Sequence, residues 1–123
     1  MSTTPAEARK ILLERELARY LDILASRDDL EKVIVFGSVA AGQVHEWSDI
    51  DLVVIQETTS PFFARLREIR RLLQPAVGTD ILVYTPGEFE QMSRERDFVR
   101  EEILGKGRTI YERSRGKVAD IRL

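Results

Sequence analysis

The chain contains no cysteine, which excludes disulfides, thiolate metal sites and thiol nucleophiles, and agrees with a reducing cytoplasm. It also lacks a surplus of charge of one sign. With 19 Lys and Arg against 21 Asp and Glu, the formal net charge is −2, and neither half is strongly basic. Extended nucleic-acid contact, which needs a positive patch to neutralise phosphates, is therefore not expected. No run approaches the roughly 18 apolar residues of a membrane span. The opening MSTTPAEARKILLERE has no apolar signal core. There are no internal repeats and no low-complexity segments. At 123 residues the chain fits one domain, 1–123, with a polar tail over 114–123 to which no regular structure is assigned. The expected setting is soluble and cytoplasmic, with no membrane contact.

What the sequence does have is concentrated between Val33 and Ile55, VIVFGSVAAGQVHEWSDIDLVVI. An apolar run ends abruptly at Gly37-Ser38, and a second, Leu52 to Ile55, is opened by Asp49 and Asp51. Side chains alternate along a strand, so positions 49 and 51 face the same way, about 6 to 7 Å apart along the backbone. Two like charges at about 4 Å and an effective dielectric near 20 repel by about 4 kcal/mol, a cost that a divalent cation between them reverses.

The rest of the chain reads as elements arranged around this stretch. Pro5 behind a Thr4 cap opens a helix whose Leu13, Leu17, Leu21 and Leu24 form one stripe, ending near 26–29. A strand is expected at 32–37, then one helical turn over Val39-Ala40-Ala41 stopped by Gly42, a polar loop at 43–48, and a second strand at 50–55. Ser60-Pro61 reads as a cap before a helix with Phe62, Leu66, Ile69 and Leu73 inward, closed by Pro75. Asp80 to Tyr84 is a third strand. Thr85-Pro-Gly-Glu88 has the spacing of a capping box, opening a helix with Phe89, Met92, Val99 and Ile103 inward and ending at Gly105 and Gly107. Thr109 to Tyr111 fits a short edge strand. The fold class is α/β (α+β): a small mixed β-sheet with flanking helices. A short connection makes strands one and two antiparallel, and a helical crossover makes two and three parallel. Gly37, Ser38, Asp49, Asp51 and Asp80 then meet at one edge of the sheet.

Each part of that edge suits a nucleoside triphosphate with magnesium. Gly37 lets backbone approach a ligand, and Ser38 begins a short helix whose free N–H groups favour an anion. Magnesium takes oxygen ligands, which Asp49, Asp51 and Asp80 offer, and two ions would stabilise both the attacking and the leaving oxygens of an in-line displacement. Asp80 is also a candidate acceptor for the proton of an attacking hydroxyl. Ser48 holds the turn that aims Asp49, or is an ordinary cap. His45 and Trp47 either stack on a nucleotide base or anchor their loop against the sheet. Arg94, Asp97, Arg100 and Glu102 read as a solvated helix face with local ion pairs.

Gly37-Ser38, ten residues, then Asp49-Ile50-Asp51 is a GSx10DxD signature, and with Asp80 as a third acid the chain resembles the minimal nucleotidyltransferases of the DNA polymerase beta superfamily. The closing stretch Ile103 to Tyr111 resembles that family as well. The resemblance implies a polymerase-beta-like nucleotidyltransferase fold. It assigns Gly37, Ser38 and Ser48 to nucleotide binding, and Asp49, Asp51 and Asp80 to two Mg²⁺ ions and to catalysis. It implies an antitoxin that pairs with a helical HEPN-domain toxin and transfers AMP from ATP to a toxin tyrosine. Two alternatives accompany it. One is an inactive antitoxin that acts by binding its partner. The other is an aminoglycoside-type nucleotidyltransferase, for which a second copy in a homo-oligomer would complete the enclosure. Where family members often carry an arginine just after the GS pair, this chain has Val39, Ala40 and Ala41, and Arg65, Arg67 and Lys32 are the candidate replacements.

Overall fold

Helix α1, Pro5–Ala25, starts as its sequence dictates: the Thr4 hydroxyl accepts the Glu7 N–H at 3.1 Å and Pro5 occupies the first turn. Its leucine stripe is buried, joined by Tyr20 and Glu16. The other elements, in the computed structural model that describes residues 2–117, are β1 (Leu30–Phe36), α2 (Gly37–Ala40), β2 (Ile50–Gln56), α3 (Phe62–Leu73), β3 (Thr79–Tyr84), α4 (Pro86–Glu95), a π-helical α5 (Val99–Gly105), β4 (Arg108–Glu112) and β5 (Gly116–Lys117).

The strands form one mixed sheet in the order β3-β2-β1-β4-β5. β1 is antiparallel to β2, and β2 is parallel to β3, the directions expected from the connections; β4 lies antiparallel on the other side of β1. Both faces are covered, so β2 is apolar almost without interruption. Helices α1 and α3 pack on one face over Val33, Val35, Ile50, Leu52, Val54, Ile81 and Val83. On the other face Val99 and Ile103 of α5 and Phe89 and Met92 of α4 meet Ile34, Phe36, Val53 and Ile55. Among the described residues no helix is long and apolar enough to cross a membrane.

Four details depart from the sequence expectation. Ser60 does not cap α3; Pro61 is itself the last extended residue, and the Ser60 N–H goes to the Thr58 hydroxyl. The helix opened by the Thr85–Glu88 capping box stops at Glu95, where Arg96 turns extended, and resumes as α5. That break lets Phe98 meet Phe36 edge-on, ring centres 6.0 Å apart. β4 runs Arg108–Glu112 and carries on its outer side β5, which lies in the stretch read as a polar tail; residues 118–123 lie outside the described residues. The expected ion pairs on the α4–α5 face do form, Arg94 with Glu90 and Arg100 with Asp97.

One buried charge ties α1 to the sheet edge that carries the acids. Glu16, 6% exposed, accepts from Arg19 at 2.8 and 2.9 Å and from the Ala76 N–H at 2.6 Å, while Arg19 donates to the carbonyls of Leu73 and Gln74. These bonds fix the left-handed turn at Gln74, φ 44°, and with it the entry into β3. Arg19 and the Ala76 amide hold the Glu16 carboxyl at about 2, from an ordinary value of 4.5. Its stabilisation is complete above pH 4.5 and is lost as pH falls through 2. Glu16→Gln should therefore destabilise the fold at pH 7 by about 1 to 3 kcal/mol, the cost of unpairing a buried charged hydrogen bond. The gap to wild type in thermal melts should narrow as pH drops from 5 towards 2.

Candidate active site

Sheet register places the central acids. Phe36 at the end of β1 lies opposite Asp51, and Asp51 lies opposite Asp80 of the parallel strand β3. Directly paired residues on neighbouring strands sit about 4.8 Å apart and point to the same face. Here that face is the one carrying Phe36, Val53 and Ile55, under α4 and α5. The two carboxyls are close enough for a protonated Asp51 to donate to Asp80. Burial, the charge of Asp80, that hydrogen bond and the charge of Asp49 together push Asp51 from 3.8 up to about 6.

Gly37 follows Phe36 and turns the chain at φ 75°. A Cβ at this position would stand 2.3 Å from Asp51 Oδ2, so only glycine both adopts this backbone and leaves room for the carboxylate. Ser38 follows in the single turn of α2. Beside them opens a cavity of about 470 Å³ lined by Gly37, Ser38, Ala41, Gln43, Glu102 and Lys106. Lys106 pairs with Glu102 at 3.1 Å. It supplies a positive charge facing the Gly37-Ser38 turn that no residue just after the serine provides. The other candidates serve elsewhere. Arg65 is buried against Glu88 and the Ser60 carbonyl, Lys32 pairs with Glu112, and Arg67 lies exposed on α3.

Asp49 behaves differently from Asp51 and Asp80. It precedes β2, so strand alternation does not fix its side chain. Its carboxylate rests on Gly78, where an added Cβ would come within 2.5 Å of Oδ1. Arg9 of α1 donates to Oδ1 at 3.3 Å and, through Nε, to the Ser48 carbonyl at 2.8 Å. Ser48 is 2% exposed, and its hydroxyl accepts the His45 N–H at 2.9 Å, so it holds the turn ahead of Asp49. His45 Nδ1 in turn accepts the Trp47 N–H at 3.2 Å, while the Trp47 side chain is 77% exposed and anchors nothing. The structure thus brings Gly37, Asp51 and Asp80 together and leaves Asp49 beside them, tied to Arg9. Accordingly, among the described residues no group of three or more His, Cys, Asp or Glu stands close enough to hold a metal ion. Asp51 and Asp80 by themselves fit a hard divalent cation: every donor is oxygen, and their shared position leaves a like-charge repulsion for a cation to relieve.

A family model described as polymerase beta, nucleotidyltransferase, matches residues 19–116. Among solved structures, a Sulfolobus solfataricus protein provisionally described as a nucleotidyltransferase aligns with TM-score 0.67 and 21% identity, covering 97% of each chain. A toxin–antitoxin structure with AMP-PNP aligns with TM-score 0.45 and 20% identity over 80% of this chain and 73% of that one. No curated protein matches.

Because burial and Asp80 raise Asp51, its contribution to the metal-free fold is favourable at low pH and is lost as pH rises through about 6. Asp51→Asn removes the like charge and keeps the shape. In EDTA the variant should melt higher than wild type at pH 7.5, with the gap closing as pH falls below 6. A variant that melts lower at pH 7.5 would contradict the charge conflict.

Proposed function

We propose a function from the premise that this chain belongs to the polymerase beta nucleotidyltransferase family: transfer of a nucleoside monophosphate from a nucleoside triphosphate to a hydroxyl group. The observation that carries the proposal is the fit of Gly37 over Asp51: the same glycine that lines the cavity beside Ser38 packs on the acid paired with Asp80. The triphosphate would lie along the Gly37-Ser38 turn, with Lys106 facing its negative charge. An acceptor hydroxyl would attack the α-phosphorus, forming one P–O bond while the bond to the β-phosphate oxygen breaks and pyrophosphate leaves. Asp80, the more exposed of the paired acids, would take the hydroxyl proton. Asp51 and Asp80 would hold Mg²⁺, with Asp49 as a further ligand. Magnesium there supplies neutralisation of the phosphate charge that builds up during transfer.

For donor and acceptor we assign ATP and a tyrosine of a helical HEPN-type toxin, which makes the chain an antitoxin. The support is the GSx10DxD spacing shared with the minimal nucleotidyltransferases, together with an edge open enough that Asp49 is 55% exposed, so that a macromolecular acceptor can reach it. A second reading, neutralisation of the partner by binding alone, is favoured by the Arg9–Asp49 pair and by the absence of arginine after Ser38.

Labelled ATP, Mg²⁺ and the protein encoded by the neighbouring open reading frame distinguish the two. Wild type should label that protein. Asp51→Asn and Asp80→Asn should each lower labelling by about 100-fold or more, the scale of losing one charge-stabilising group, and EDTA should abolish it. A double variant that labels nothing yet still protects cells from the partner would establish binding as the function.

A further inference from the structure

Arg9 takes no part in the proposed transfer step, yet among the described residues its side chain is the one that bonds to Asp49. Helix α1 packs on the sheet face of Ile50, Leu52 and Val54, whereas Asp51 and Asp80 project from the other face, with Val53 and Ile55. The two groups thus approach the edge from opposite sides, and the Arg9 guanidinium reaches round it. One nitrogen binds the Ser48 carbonyl at 2.8 Å, fixing the backbone before the acid, and another binds the Asp49 carboxylate at 3.3 Å. The arginine side chain is 21% exposed and the aspartate 55% exposed. Gly78 provides the seat on which the carboxylate rests in this position.

We infer that Arg9 is a positioning residue acting as a latch: it holds Asp49 against Gly78, away from the Asp51–Asp80 pair, and a divalent cation must displace it to recruit Asp49. The inference rests on the proposed metal site. Its physical basis is a competition of two cations for one carboxylate. In the nucleotide-free protein the guanidinium donates to Asp49 Oδ1, so a metal bound by Asp51 and Asp80 competes with Arg9 for its third carboxylate. When the pair breaks, the Arg9 charge is released at the mouth of the edge, beside the exposed loop of Trp47.

The test is Mn²⁺ binding to the nucleotide-free protein, followed by calorimetry or paramagnetic resonance. Arg9→Met should tighten Mn²⁺ binding by up to about fivefold, the range set by partly exposed ion pairs. Lys10→Met, which removes the same charge one position along α1, should leave affinity unchanged. In an Asp49→Asn background Arg9→Met should have no effect, since no carboxylate remains to compete for. Weaker or equal Mn²⁺ binding in Arg9→Met, or equal tightening in Lys10→Met, overturns the latch while the metal site stands. No Mn²⁺ uptake by wild type or by Arg9→Met overturns the functional reading and the latch with it.

Discussion

Two carboxylates forced into one space by strand register are the constraint on which this structure turns. Asp51 and Asp80 sit opposite each other because β2 and β3 run parallel in a register fixed by the apolar residues behind them. Slipping either strand by one residue would send the acid into the opposite core and expose Leu52 or Ile81 in its place. The like-charge conflict is thus maintained by hydrophobic burial, at about 1.5 to 3 kcal/mol per large side chain. That energy greatly exceeds what the protein would recover by separating the acids. The rest follows from it: the glycine at 37 that leaves room for Asp51, the cavity beside it, and the need for a counter-charge.

The fold serves the edge from both sides. On one face α1 and α3 are bound to the β3 entry through Glu16 and Arg19, so the position of Asp80 depends on a charge network far from any substrate. On the other, the break at Arg96 and the π-helical turn of α5 bring Lys106 and Glu102 to the cavity beside Ser38. π-Helical turns are frequent at functional sites because they shift the facing of side chains relative to an α-helix. Here the shift supplies a lysine to the cavity beside Ser38, whose own loop has none.

Much of this was legible in the sequence, for reasons that differ by residue. The ten-residue spacing between Ser38 and Asp49, flanked by apolar runs, determined strand direction and therefore the meeting of Gly37, Asp51 and Asp80. The Thr85 capping box is local chemistry and formed as expected. Asp49 was harder, because alternation applies only inside a strand and this residue stands just before one. Arg9 is outside the GSx10DxD signature, yet its position carries a signal: it lies four residues before Leu13 and eight before Leu17, which extends the buried stripe of α1 to its first turns and aims an arginine at the sheet. The interruption of the fourth helix was not legible, since Met92, Val99 and Ile103 keep a spacing that an unbroken helix would satisfy. Gly78 carried no sequence signal beyond a turn; its role as a seat for Asp49 appears only in three dimensions.

The central claim is that burial and the neighbouring Asp80 make Asp51 hold its proton more tightly, and that a divalent cation displaces that proton. Carbon-13 carboxyl NMR of Asp51, titrated with and without Mg²⁺, tests it most directly. The expected midpoint is about 6 in the metal-free protein, moving to below the ordinary 3.8 when Mg²⁺ saturates the site. A metal-free midpoint near 3.8, or one near 6 that Mg²⁺ leaves unmoved, would contradict the account.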